Sequence, residues 1–203
     1  MSRTATVLTS AALAAWGVHT TVLTRRLRHA RTDDLTKLHL RDEFTRRSTR
    51  LLPSGTVLLL DLNDFKSLND TYGHAAGDTT LTTFAERLQE ALPHAVCGRL
   101  GGDELAATLP HPLPEKRHTD ALLTALQQPI PHNVGVLNPR VSIGLAPGPH
   151  HDSLSTALGA ADAAMYAAKD DGGGAVVYDP SRHLLGRGRH DVAQRDSPLA
   201  SVS

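Results

Sequence analysis

The run TVLLLDL, residues 56–62, most constrains what this chain can fold into. A short, nearly continuous apolar run headed by β-branched residues reads as a buried strand, and a buried strand needs other elements to cover it. One residue in it is out of character. Asp61 follows three leucines, so it falls at or near the end of that strand, where a carboxylate is costly to desolvate unless something neutralises it.

The rest of the chain supplies the covering elements. Residues 78–92 carry Leu81, Phe84, Ala85, Leu88 and Leu92 at helical spacing, and a helix is also expected from about Phe65. AVCGRLGGDELAATL (95–109) reads as two strands around a Gly-Gly turn, in which the glycines would supply positive φ. EKRHTDALLTALQQP is a helix stopped by Pro129, RVSIGLA a strand, and SLSTALGAADAAMYAAKDDGGG a helix ended by three glycines. AVVYD can close the sheet. Helices and strands alternating around one sheet give an α/β or α+β sandwich. Aromatic residues are only 3% of the chain, so its core is built mainly from Leu, Val and Ala.

Flanking this region are two segments of different character. Residues 4–23 contain no formally charged side chain, and a 20-residue helix roughly matches the ~30 Å hydrocarbon core of a bilayer. Five arginines and no acid lie within residues 1–31, so the remainder is net negative by five. The cluster RRLRHAR directly after the apolar run predicts a membrane anchor with the bulk of the chain on the cytoplasmic side. A signal peptide and a soluble N-terminal helix are the competing readings. The chain as a whole has 21 basic and 21 acidic residues, and no nucleic-acid partner is expected. Its single cysteine, Cys97, excludes an intramolecular disulfide. Residues 180–203 are polar and irregular and are expected to be a disordered tail.

Chemistry concentrates at the ends of the buried strand and the hairpin. Asp61, Asn63 or Asp64 can cap the helix starting near Phe65. Alternatively Asp61 and Asp103 are Mg²⁺ ligands: the ion takes one or two carboxylates plus substrate phosphates, and adjacent strand ends lie close enough to share it. Gly101 and Gly102 suit close approach of a triphosphate to the backbone. Asn69 and Asp78 suit guanine, whose N1–H and N2–H₂ a carboxylate accepts in parallel, whereas adenine presents an acceptor at N1. Asp78 alone is equally a helix N-cap. Lys169 shares a helical face with Asp162 and Tyr166, where it can meet a phosphate or complement the helix dipole.

Taken together, these residues resemble the diguanylate cyclase family, whose domain is named for its GGDEF motif. RLGGDEL (99–105) carries the motif with Leu105 for the final Phe. DDLTKLHLR (33–41) is similar to the family opening D-x-L-T-G-L-x-N-R. DLNDFKSLNDTYGHAAGD (61–78), VSIGLA and ADAAMYAAKDDG follow in the family's order. The resemblance covers residues 32–179, the expected catalytic domain. It implies a palm-like nucleotide-cyclase sandwich with a central, mostly antiparallel sheet flanked by helices. It also implies condensation of two GTP into cyclic di-GMP with Mg²⁺ or Mn²⁺, in a homodimer. By motif match Asp61, Asp103 and the Leu62 carbonyl would hold the metal. Glu104 would serve the ribose 3′-OH, as general base or second metal ligand. Phe65 and Lys66 would lie in the turn cradling phosphates, and Lys169 would contact the triphosphate.

The chain departs from the pattern in three places. Lys37 and Leu40 replace the Gly and Asn of the opening motif. Gly173 stands where the family has an arginine pairing with the phosphates. Leu92 and Ala95 occupy the R-x-x-D positions of a product-inhibition site, which is therefore absent. A non-catalytic GTP-binding scaffold is the rival to an active enzyme.

Overall fold

The computed structural model describes residues 31–112 and 115–183, together with Trp16 and Leu185. In chain order the elements are β1 (His39–Leu40), α1 (Arg41–Ser48), β2 (Thr56–Leu62), α2 (Phe65–Tyr72), α3 (His74–Ala91), β3 (Val96–Arg99) and β4 (Glu104–Leu109). They continue with α4 (Lys116–Leu126), β5 (Ile130–His132), β6 (Gly135–Leu137), β7 (Val141–Pro147), α5 (Leu154–Asp170) and β8 (Gly174–Val177). β2 has the bounds read from its sequence and is buried at every position.

One six-stranded sheet runs in the order β1-β3-β4-β2-β7-β8. Its three central pairings are antiparallel, and only the edge pairs β1–β3 and β7–β8 are parallel. β5 and β6 form a separate hairpin. Alternation along the strands sends side chains to two different cores. Leu58, Leu60 and Leu62 pack with Leu105, Ile143, Phe84, Leu88 and Leu122, under α3 and α4. Val57 and Leu59 pack with Ala106, Phe44, Ala157 and Ala161, under α1 and α5. Both faces of the sheet are thus covered, as the continuous apolar run of β2 requires.

The shortage of aromatics is met by close packing of small residues. A Cβ on Gly144 would run into the Ala161 carbonyl and the Met165 amide, so α5 lies directly on β7. That helix starts with a capping box in which the Thr156 N–H donates to Ser153 Oγ and the Ser153 N–H to Thr156 Oγ1. It ends in a Schellman motif: the Gly172 N–H donates to the Lys169 carbonyl and the Gly173 N–H to the Ala168 carbonyl.

Several sequence expectations are corrected here. α3 begins at His74, four residues before Asp78, so Asp78 lies within the helix and is not its N-cap. No side chain caps α2, whose N-cap Asp64 sits in the left-handed region at φ 57°. Neither Gly101 nor Gly102 has positive φ, so the turn does not need them for that reason. The region after residue 179 opens with a built turn, in which Asp179 Oδ1 accepts from the Ser181 N–H and hydroxyl. The rest of the expected tail and the apolar segment 4–23 lie outside the described residues, apart from Leu185 and Trp16. Among the described residues, no helix is long and apolar enough to cross a membrane.

Candidate active site

β2 and β4 pair antiparallel, and in that ladder Asp61 stands opposite Glu104. Register partners share a sheet face, with Cβ atoms about 5 Å apart. Both carboxylates are nearly buried, at 5% and 8% exposure. A row continues across the sheet, since Asp61 also pairs with Ser142 of β7, and Ser142 with Gly174 of β8. This row lies on the face covered by α1 and α5.

The neutralising group that buried Asp61 demands is Lys169, from the last turn of α5. Its Nζ donates to Asp61 Oδ1 at 2.6 Å. Glu104 faces Arg41, whose Nη2 lies 3.8 Å from Glu104 Oε2 and donates to the Leu100 carbonyl at 2.8 Å. A second arginine braces the same turn. Arg99 donates from Nε and Nη2 to the Gly102 carbonyl and from Nη1 to Asp33 Oδ1. Asp33 also accepts from the Thr36 N–H and hydroxyl. Burial works to raise its pKa, but the bonds from Thr36 and Arg99 outweigh it and hold the carboxyl below its usual range. The opening motif therefore ties down the glycine turn. Sequence reasoning missed this role of Asp33, Arg99 and Arg41, although Arg99 adjoins the turn in the chain.

The turn itself is tight, with the Glu104 N–H donating to the Gly101 carbonyl and the Leu100 N–H to the Glu104 carbonyl. Asp103 is thereby left in the connection, part-exposed, one residue beyond the ladder. A Cβ on Gly102 would meet nothing within 4 Å, and one on Gly101 only Glu104 Oε2 at 3.6 Å. Beside the turn, the backbone is open.

At the same end of β2, Leu62 pairs with Val141 and the Asn63 N–H donates to the Arg140 carbonyl at 2.9 Å. Asn63 Oδ1 accepts from the Ser142 hydroxyl. Phe65 and Lys66 open α2, and with no capping side chain its first-turn N–H groups remain available to an anion. Phe65 is part-buried and Lys66 exposed. Asn69 lies on α2 with its carboxamide pressed against Gly77, where any Cβ would collide with Oδ1. Gly77 thus lets α2 and α3 approach, and exposed Asp78 follows it in the chain.

The donor set suits a hard divalent cation: two register-paired carboxylates at a strand end, a third in the adjoining turn, and open space for phosphate oxygens. No cluster of three or more His, Cys, Asp or Glu able to hold a metal occurs among the described residues, so such a cation would need ligands from backbone and substrate as well. Leu92 and Ala95 are part-buried and pack against the core under α3. A cavity of about 780 Å³ lined by Leu58, Leu92, Leu109 and Leu122 contains none of the site residues.

Comparison with known proteins bears on the family and the fold. The family described as "Diguanylate cyclase, GGDEF domain" matches residues 30–175. An uncharacterised 19.3 kDa protein of Streptomyces ambofaciens is 44% identical over 81% of this chain and 92% of its own length. The solved GGDEF domain of YfiN (TpbB) from Pseudomonas aeruginosa is 36% identical, covers 73% of this chain and 94% of that one, and superposes with a TM-score of 0.67. Diguanylate cyclase SiaD of the same species, solved with its activator SiaC, is 26% identical over 86% of this chain and 73% of that one, with a TM-score of 0.60. The chain belongs to the diguanylate cyclase GGDEF-domain family. Against other curated relatives it spans only about a quarter of their length, 24% and 29% in two cases.

Proposed function

We propose that this chain condenses two GTP molecules into cyclic di-GMP with release of two pyrophosphates. The observation that carries the reading is the buried Asp61–Glu104 register pair, in which Lys169 neutralises Asp61, beside the open backbone of the glycine turn. In this reading Asp61 and Asp103, with the Leu62 carbonyl, hold Mg²⁺ or Mn²⁺. A cation bound there neutralises charge on the leaving pyrophosphate and lowers the pKa of the attacking hydroxyl. Glu104 accepts the 3′-OH proton or adds a further carboxylate to the cation. Lys169 turns from Asp61 towards the triphosphate, the amides at Phe65 and Lys66 cradle phosphate oxygens, and Gly101 and Gly102 leave room for them. Asn69 and Asp78 read the guanine. Each chain carries one such site, so two chains must face each other for both bonds to form.

Residues 32–179 form the catalytic domain in this reading, and 180–203 a tail. Residues 1–31 tether that domain to the cytoplasmic face of the inner membrane. The arginine cluster after residue 23 supports that orientation.

Incubating the full chain at high concentration with GTP and Mg²⁺, and separating products by chromatography with mass detection, tests the reading. Cyclic di-GMP is the expected product. GTP binding without product in either Mg²⁺ or Mn²⁺ would establish the second reading, a GTP-binding scaffold, which glycine at 173 favours.

A further inference from the structure

Position 173 lacks the arginine expected there, and its backbone is poorly suited to one. Gly172, Gly173 and Gly174 have φ of 86°, 116° and 119°, values that side-chain-bearing residues rarely adopt. A Cβ on Gly173 would lie 3.1 Å from Asn63 Nδ2 and 3.3 Å from the Val141 carbonyl oxygen.

A guanidinium is nevertheless present at this corner. Arg140 Nη2 donates to the Gly172 carbonyl, and a Cβ on Gly172 would stand 3.5 Å from that same nitrogen. Arg140 arrives from a different element, directly before β7. Its carbonyl accepts from the Asn63 N–H, extending the ladder that pairs Leu62 with Val141 and Asp61 with Ser142. Strand alternation puts Arg140 on the same face as Ser142, and so on the face that carries Asp61 and receives Lys169. It therefore stands one step beyond the carboxylate row, between the loop after Lys169 and the turn leading into α2.

We propose that Arg140 supplies the guanidinium contact to the GTP phosphates that Gly173 does not provide. The inference rests on the GTP reading above and names a further residue of that same site. Holding the end of α5 is not sufficient employment for Arg140, because the Schellman bonds from Gly172 and Gly173 already close that helix. Its side chain is exposed and spends one N–H on a neutral carbonyl. A phosphate is a better acceptor: it is charged, and the planar fork of arginine can meet it with two parallel bonds. The substitution at 173 and the arginine at 140 then form a compensating pair, with the charge moved from the helix end to the start of the neighbouring strand.

The test is competition of GTP and of guanosine against a fluorescent GTP analogue on the full chain with Mg²⁺, in the unsubstituted protein, R140A and R140K. R140A should weaken GTP about tenfold or more, as expected for a charge-assisted bond, and leave guanosine unchanged. R140K should recover part of the loss, having the charge without the fork. Unchanged GTP affinity in R140A, or an equal loss for guanosine and GTP, would overturn the proposal; circular dichroism melts confirm that each variant is folded. Failure of the unsubstituted chain to bind GTP is a separate result, visible before any substitution, and removes the functional reading and this proposal with it.

Discussion

Asp61 and Glu104 face each other across the β2–β4 ladder, both nearly buried, on the face of the sheet that receives Lys169. Holding two acids side by side there carries a desolvation cost, offset at Asp61 by Lys169 and at Glu104 by the nearby Arg41. Glu104→Gln keeps the shape and the hydrogen-bonding capacity but removes the base. It should lower cyclic di-GMP formation by a factor of about 10² or more while leaving the melting temperature within a few degrees of the parent. Retained product formation in this variant would remove Glu104 from the chemistry.

Lys169 serves Asp61 in the chain as it stands, and the proposed cation would serve the same carboxylate. Breaking a fully buried ion pair costs about 3–5 kcal/mol, but the Lys169 side chain is 43% exposed, which reduces the expected loss in Lys169→Met to about 1–2 kcal/mol. Mg²⁺ should then raise the melting temperature of Lys169→Met by more than it raises that of the parent. Equal shifts would mean that Asp61 does not bind the ion.

Much of this site was legible because its determinants are local. β2 was readable to the residue, since an apolar run ending in an acid has few alternatives. The partner of Asp61 was harder. A two-residue Gly-Gly turn would make Asp103 the first residue of the returning strand. The observed pairing of Arg99 with Leu105 puts Gly101, Gly102 and Asp103 in the connection and brings Glu104 opposite Asp61. A one-residue difference in turn length exchanges the faces of a strand, and the identity of the turn residues does not settle it. α1 escaped notice because RDEFTRRS has one large apolar residue, Phe44, and the two residues of β1 are too few to show a period. The positions of Arg41, Arg99 and Arg140 follow from contacts distant in sequence.

Lys37 occupies the glycine position of the opening motif at φ 59°, held by a bond from its Nζ to the Asp34 carbonyl. Left-handed backbone costs a side-chain-bearing residue about 1–2 kcal/mol. Lys37→Gly should therefore raise the urea midpoint, by about 1 kcal/mol in stability at unchanged m. A lower midpoint would show that the lysine contact outweighs the backbone cost.

Gly173→Arg, which restores the family residue, should destabilise by about 1–3 kcal/mol because of its backbone conformation. It should fail to improve GTP binding. Urea unfolding and nucleotide titration of the same preparation check both parts.

On α1, Arg46 and Arg47 both bond to Glu43 and hold its carboxyl at about 2 against an ordinary 4.5. A carboxyl with a lowered folded pKa contributes stability that is full above its unfolded pKa and fades as pH falls through the folded one. The parent should be more stable than Glu43→Gln at pH 7. Between about pH 4.5 and 2 that advantage should shrink towards nothing. Thermal melts of the two proteins across this range should converge on acidification, and parallel curves would refute the pairing.

Base selection provides a test that is independent of the phosphates and the metal. Asn69, on α2, is pressed against Gly77 of α3, the residue before Asp78. If Asp78 accepts the N1–H and N2–H₂ of guanine, removal of the 2-amino group in ITP should weaken binding to the parent. Asp78→Asn, which replaces one of the two acceptors with a donor, should weaken GTP about tenfold and bring GTP and ITP close to equal. The comparison isolates the base edge, because the two nucleotides carry identical phosphates. A variant that loses GTP and ITP by the same factor would place Asp78 outside the guanine site.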